Sequence, residues 1–174
     1  RREGYLVWDR GKECVRLDFA QLGTATGAQP YEQLIRSADV LVEDFAPAAS
    51  EQALVRFERL AALNPRLVHG SITAYGKHGP WKDEPPIDDL ILARLGILAS
   101  QPGFRPPPVH VVHPLPTVGA CLFAAQGITA ALLAREKTGL GRSVATSLMA
   151  GALMYHPKLT GERLAPNTFQ THPS

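Results

Sequence analysis

The chain has 174 residues, 45% of them hydrophobic and 20% charged, with a formal net charge of +2 and two cysteines. That composition is globular and enough for one buried core, and Lys and Arg scattered among acids exclude the basic stripe of a nucleic-acid binder. Two isolated cysteines exclude a disulfide framework and fit a reducing, cytoplasmic setting, with Cys14 and Cys121 as small buried apolar residues.

Arg1–Tyr5 offers neither an initiating Met nor the apolar core of a signal peptide, and Asn167–Ser174 closes no element, so the sequence reads as a piece of a longer protein. Glu13–Asp18 alternates like a strand, and Pro30–Ala38 reads as a helix with Pro near its start. Asp39–Asp44 reads as a second strand, apolar on consecutive positions, the pattern of a strand covered on both faces. Ser50–Leu63 reads as a helix ended by Asn64-Pro65, and Arg66–Thr73 as a further strand. Strands alternating with helices predict an α/β fold. The Gly- and Pro-rich loop from Ala74 to Pro86 would leave the carboxyl end of that strand, where open parallel sheets bind ligands.

Asp88–Ala99 reads as a helix with carboxylates in its first turn. From Val118 to Lys137 nothing but two glycines interrupts a long helix rich in small residues, with Thr117 as its cap and Gly139 ending it. It reads as buried, and its apolar run, holding Gln126 and Thr129, falls short of a membrane span. Arg142–Leu148 reads as a strand, and Met149–Thr160 as a helix broken at Pro157.

Read from residue chemistry alone, the sequence carries no phosphate-binding signature, since the glycines of Thr138–Gly141 follow a helix and not a strand. His110 and His113 lack a nearby Cys or acidic ligand, so no zinc site is expected. Asp88 and Asp89 fit either an acid/base pair or capping acids, and capping is the plainer reading. Thr117 would act as a nucleophile only with a base beside it, and the nearest one in sequence, His113, is separated from it by two prolines.

Six landmarks in register carry a family resemblance: Arg10–Lys12 with Arg16–Asp18, Ala38–Pro47, Leu63–Val68, Ser71–Pro80, Pro107–Val109 leading to Gly127-Ile128, and Lys137–Gly141. Together they resemble the family III CoA-transferases, which include formyl-CoA and carnitine-CoA transferases and the α-methylacyl-CoA racemases. The resemblance implies a Rossmann-like parallel sheet flanked by helices, with residues 1–174 forming part of the large domain. An opening strand-helix unit and a smaller C-terminal domain would lie outside the sequence. It also implies coenzyme A or an acyl-CoA as substrate and a carboxylic acid as partner substrate, while the residues themselves point to no metal, membrane or nucleic acid. A homodimer, or a second family unit in the same chain, is further implied.

The family uses an Asp that attacks the acyl-CoA thioester, so that CoA passes by way of an anhydride and an enzyme thioester to a second acid. Aligned from Pro107 to Gly141, that Asp falls on Thr117, while the racemase His falls on Ile87 and the Asp beside it survives as Asp88. The resemblance assigns Thr117 and Asp88 to the catalytic positions and Leu17, Asp44, Gln52 and Thr73 to CoA contacts. Asp44 stands where an Asn is usual, and Gln52 and Thr73 stand where formyl-CoA transferases carry basic residues. The function expected is that of an acyl-CoA transferase-like protein whose present segment lacks the nucleophilic Asp. The alternative is a non-catalytic CoA-ester-binding or dimerisation unit of the same fold.

Overall fold

A computed structural model describes residues 9–17, 25–45, 55–100, 106 and 108–155. Strands β1 (Val40–Glu43), β2 (Val68–Thr73) and β3 (Ser143–Ser147) pair in parallel in that order. Val40 sits opposite Val68, and His69 opposite Ser143. The pleat therefore sends Leu41, Glu43, His69 and Ser71 to one face and Val42, Gly70, Ile72 and Val144 to the other.

Helices α1 (Ala25–Ser37) and α2 (Phe57–Leu63) cover the first face. Their core is Tyr31, Ile35, Val55, Leu60 and Leu67, with Leu41 packed against it. On the second face lie α5 (Leu115–Thr138) and α6 (Leu148–Met154), with α3 (Asp88–Arg94) and α4 (Ile97–Ser100) beside them. Ile91, Leu92, Ile97, Ala120, Leu148 and Ala152 form the second core. The expected α/β sheet with helices on both faces is present.

Two devices join these layers. Asn64 donates from Nδ2 to the carbonyls of Ile35, at 3.0 Å, and Ala38, at 2.9 Å, and its Oδ1 accepts the Arg66 N–H. It thereby satisfies carbonyls that the end of α1 leaves orphaned. Asn64→Ala should destabilise the protein by about 1–3 kcal/mol, the cost of stranding partly buried backbone groups, as read from urea unfolding. Arg135, in the last turn of α5, is buried and donates to the carbonyls of Asp39 and Arg66 while pairing with the Asp39 carboxylate at 3.0 Å. That anchors the end of α5 to the starts of β1 and β2.

α5 departs most from the sequence reading. It starts at Leu115 with Pro114 as N-cap, so Pro116 and Thr117 lie inside its first turn. A proline there gives up an N–H that the first turn does not use. The helix is not buried all round: Gly119, Ala120, Ala124, Ala131 and Arg135 face inward, while Val118 and Leu122 are exposed and Leu133 is 66% exposed. By length and composition its 24 residues suffice to cross a membrane, contrary to the sequence reading. In this fold it packs on β2, β3 and α6. Its end follows expectation, with Gly139 at φ 73° and its N–H bonded to the Arg135 carbonyl.

Residues 13–17 form no strand, because no neighbour among the described residues takes up their N–H and C=O groups. Cys14 and Cys121 are exposed, not buried. β1 is only partly covered, with Val42 half-exposed on the second face. α1 begins at Ala25, so Pro30 lies within it, and Gly96 at φ 72° divides the single helix expected over 88–99 into α3 and α4. α6 ends at Met154. Residues 50–54 and the rest of the helix expected to Thr160 lie outside the described residues.

Candidate functional site

The carboxyl ends of the three strands open on one side into a cavity of about 270 Å³. Asp44 and Phe45 follow β1, Thr73 and Ala74 end β2, and Leu148 follows β3. Lys82, Glu84 and Pro86 enter from the loop after β2, as the glycines and prolines of that loop foretell. α5 contributes Thr117 and Cys121, one helical turn apart and both on the cavity wall.

Thr117 is fixed by an acid from another element. Its backbone N–H donates to Asp88 Oδ1 at 2.8 Å and its hydroxyl to Asp88 Oδ2 at 2.9 Å. Asp88 opens α3, yet no side chain caps that helix; the carboxylate instead takes an orphan N–H from the first turn of α5. Thr117 is thus not the cap the sequence expects, and a base lies beside it that the sequence places 29 residues away. Asp89 pairs with His110 Nδ1 at 3.2 Å, giving that histidine the acidic neighbour its own segment lacks. No group of three metal-ligating side chains occurs among the described residues.

Of the residues the resemblance assigns to CoA, Asp44 and Thr73 line the cavity. The buried Thr73 hydroxyl is engaged locally, accepting the Gly76 N–H at 2.9 Å and donating to the Thr146 carbonyl at 3.4 Å. Leu17 is half-buried against the core of α1 and α2 and lines neither this cavity nor the one described next. Gln52 lies outside the described residues. Sequence reasoning missed Cys121, although its i, i+4 spacing from Thr117 puts the two on one helix face.

A second, wider cavity of about 500 Å³ lies over the first face of the sheet and shares Thr73 with the other. His69 and Ser71 form its floor, and their Nε2 and Oγ atoms find no hydrogen-bond partner among the described residues. The Glu43 carboxylate stands 3.8 Å from His69 Nε2, and the Phe57 ring stacks on the imidazole at 6.4 Å. Burial pushes the imidazole below its ordinary value of 6.5, and Glu43 pulls it part of the way back. A histidine held neutral in the fold binds its proton more readily when unfolded. Its contribution to stability is therefore present above pH 6.5 and is lost as pH falls through the lower folded value. His69→Phe should flatten the fall in melting temperature between about pH 7 and pH 5, as read by thermal scans.

Known proteins share the fold and part of the sequence. The sequence is 33% identical over 149 residues to an acetyl-CoA:oxalate CoA-transferase of Acetobacter aceti, covering 84% of this chain and 37% of that relative. It is likewise 33% identical to a formyl-CoA:oxalate CoA-transferase of Escherichia coli, covering 75% of this chain and 31% of the relative. The crystal structure of Rv3272 from Mycobacterium tuberculosis superposes with a TM-score of 0.79 at 29% identity, over 89% of this chain and 42% of that one. The chain thus spans well under half the length of these relatives. The model of CoA-transferase family III matches residues 2–173, and the chain belongs to that family.

Proposed function

We propose that this chain is the acyl-CoA-handling unit of a protein that moves coenzyme A between carboxylic acids, and that the cavity at the carboxyl ends of the strands receives the thioester. The observation that carries the reading is the position of Thr117. It lines that cavity from the first turn of α5, at the place where the resemblance puts the nucleophile. The relatives named for acetyl-CoA, formyl-CoA and oxalate support CoA thioesters and small acids as the substrate classes. Asp44 and Thr73 would lie along the CoA, with Lys82 as a cation on the wall.

A second reading is favoured by the hydroxyl at position 117, which cannot form the mixed anhydride that a carboxylate forms. In it the unit binds the CoA ester or supports an active partner, either a second copy or a second family unit. Exposed free thiols at Cys14 and Cys121 support placing the protein in a reducing compartment, the cytoplasm.

Mass spectrometry separates the readings. The full-length parent protein, given acetyl-CoA with oxalate and a panel of other carboxylates, should yield at least one new CoA thioester. Acetyl-CoA that binds without exchange would favour a unit that only binds the CoA ester, and absence of CoA binding would reject CoA handling and leave this unit a supporting role alone.

A further inference from the structure

The hydrogen bond between Thr117 and Asp88 pairs a hydroxyl on a residue that lines the cavity with a carboxylate 2.9 Å away. A nucleophile within hydrogen-bond reach of a base, with the base itself held in place, is the arrangement that activates weak alcohols. Here the orienting group is the Thr117 backbone N–H. It fixes Asp88 Oδ1 at 2.8 Å and so leaves Oδ2 directed at the hydroxyl. Both oxygens of the acid are committed to one residue, and that residue lines the cavity.

We propose that Thr117 is an acyl acceptor, with Asp88 as its general base, and that this unit hydrolyses CoA thioesters through an oxygen ester. The proposal rests on the reading that the cavity takes a CoA thioester. The Thr117 oxygen adds to the thioester carbonyl carbon as its proton passes to Asp88 Oδ2. The tetrahedral adduct collapses with cleavage of the C–S bond, and CoA leaves as a thiol, taking the proton from Asp88. Water then adds to the acyl-threonine while Asp88 accepts a proton. When the C–O bond to Thr117 breaks, Asp88 returns that proton to the threonine oxygen and the free acid leaves. The sum is thioester plus water giving acid plus CoA, with no oxidant or further reactant.

This differs from the anhydride route of the family in what it leaves on the protein. An oxygen ester of threonine is less reactive than an anhydride or a thioester, so it survives an acid quench. The full-length parent protein is mixed with acetyl-CoA or octanoyl-CoA, quenched in acid, and peptide-mapped by mass spectrometry. CoA binding to each variant is followed by calorimetry, and folding by circular dichroism.

The acyl group should be found on Thr117, persist in Thr117→Ser, and fall about a hundredfold in Thr117→Val. Asp88→Asn keeps an oxygen for the Thr117 N–H while removing the base, and should slow acylation at least tenfold with CoA binding unchanged. CoA binding with no acyl group on Thr117 from either thioester, or with the acyl group on Cys121, would overturn the proposal and leave the functional reading standing. Loss of CoA binding in the wild-type protein would overturn both.

Discussion

Gly119→Ala is expected to destabilise the protein by about 2–3 kcal/mol, although the same change inside a helix ordinarily stabilises by about 0.5–1 kcal/mol. The sign reverses because of what lies opposite. A Cβ built on Gly119 falls on the Gly151 carbonyl of α6, and one built on Gly151 falls on the Ala120 nitrogen and the Pro116 carbonyl of α5. Both obstacles are backbone, so no rotamer change relieves them and the two helices must separate. Separation opens the core around Ala120, Leu148 and Ala152 and withdraws the first turn of α5 from the cavity it lines. For a chain of this size the loss corresponds to a melting temperature lower by roughly 4–12 °C. Gly127→Ala supplies the contrast, because the atoms nearest its Cβ belong to the Val144 side chain, the first at 2.5 Å. A side chain can give way where backbone cannot, but a β-branched valine must shift bodily, so this substitution should cost about 1–2 kcal/mol, less than Gly119→Ala.

Cys121→Trp is expected to weaken CoA binding at least tenfold, a loss of about 1.4 kcal/mol or more, while leaving the fold intact. Cys121 is exposed on α5 and lines the 270 Å³ cavity one turn beyond Thr117. An indole there projects into solvent-accessible space and not into the core, which separates its effect from that of Gly119→Ala. It fills the volume between α5 and the strand ends that a thioester would need. Calorimetric titration of CoA into the full-length protein and the variant checks this directly. Equal affinity would place the CoA elsewhere.

The sheet and most of its helices were legible in the sequence because their signals are local. The apolar run within Asp39–Asp44, the Asn64-Pro65 stop and the Gly139 end of the long helix each depend on neighbouring residues. What was not legible depended on partners far along the chain. Glu13–Asp18 has the alternation of a strand, but alternation supplies no neighbour, and residues 13–17 stand unpaired among the described residues. The helix over 115–138 is uniformly apolar, so its composition could not show which side meets the sheet and which is left exposed.

The site divides along the same line. Asp44, Thr73 and Thr117 follow strand ends or a helix start, and the topology of a parallel sheet gathers them. The clamp between Asp88 and Thr117 spans 29 residues and two elements, and neither residue type nor spacing announces it. His110 and Asp89 are a second case, a pair made by the approach of two segments that look empty when read separately.

Hydrogen exchange of the full-length protein with and without CoA is the most direct test of where the thioester is received, because local protection reports which backbone a ligand covers. CoA should slow exchange in the peptides holding Thr73-Ala74 and Thr117–Cys121, which line the cavity at the carboxyl ends of the strands. Protection that leaves these peptides unchanged and appears only in other parts of the chain would contradict the account.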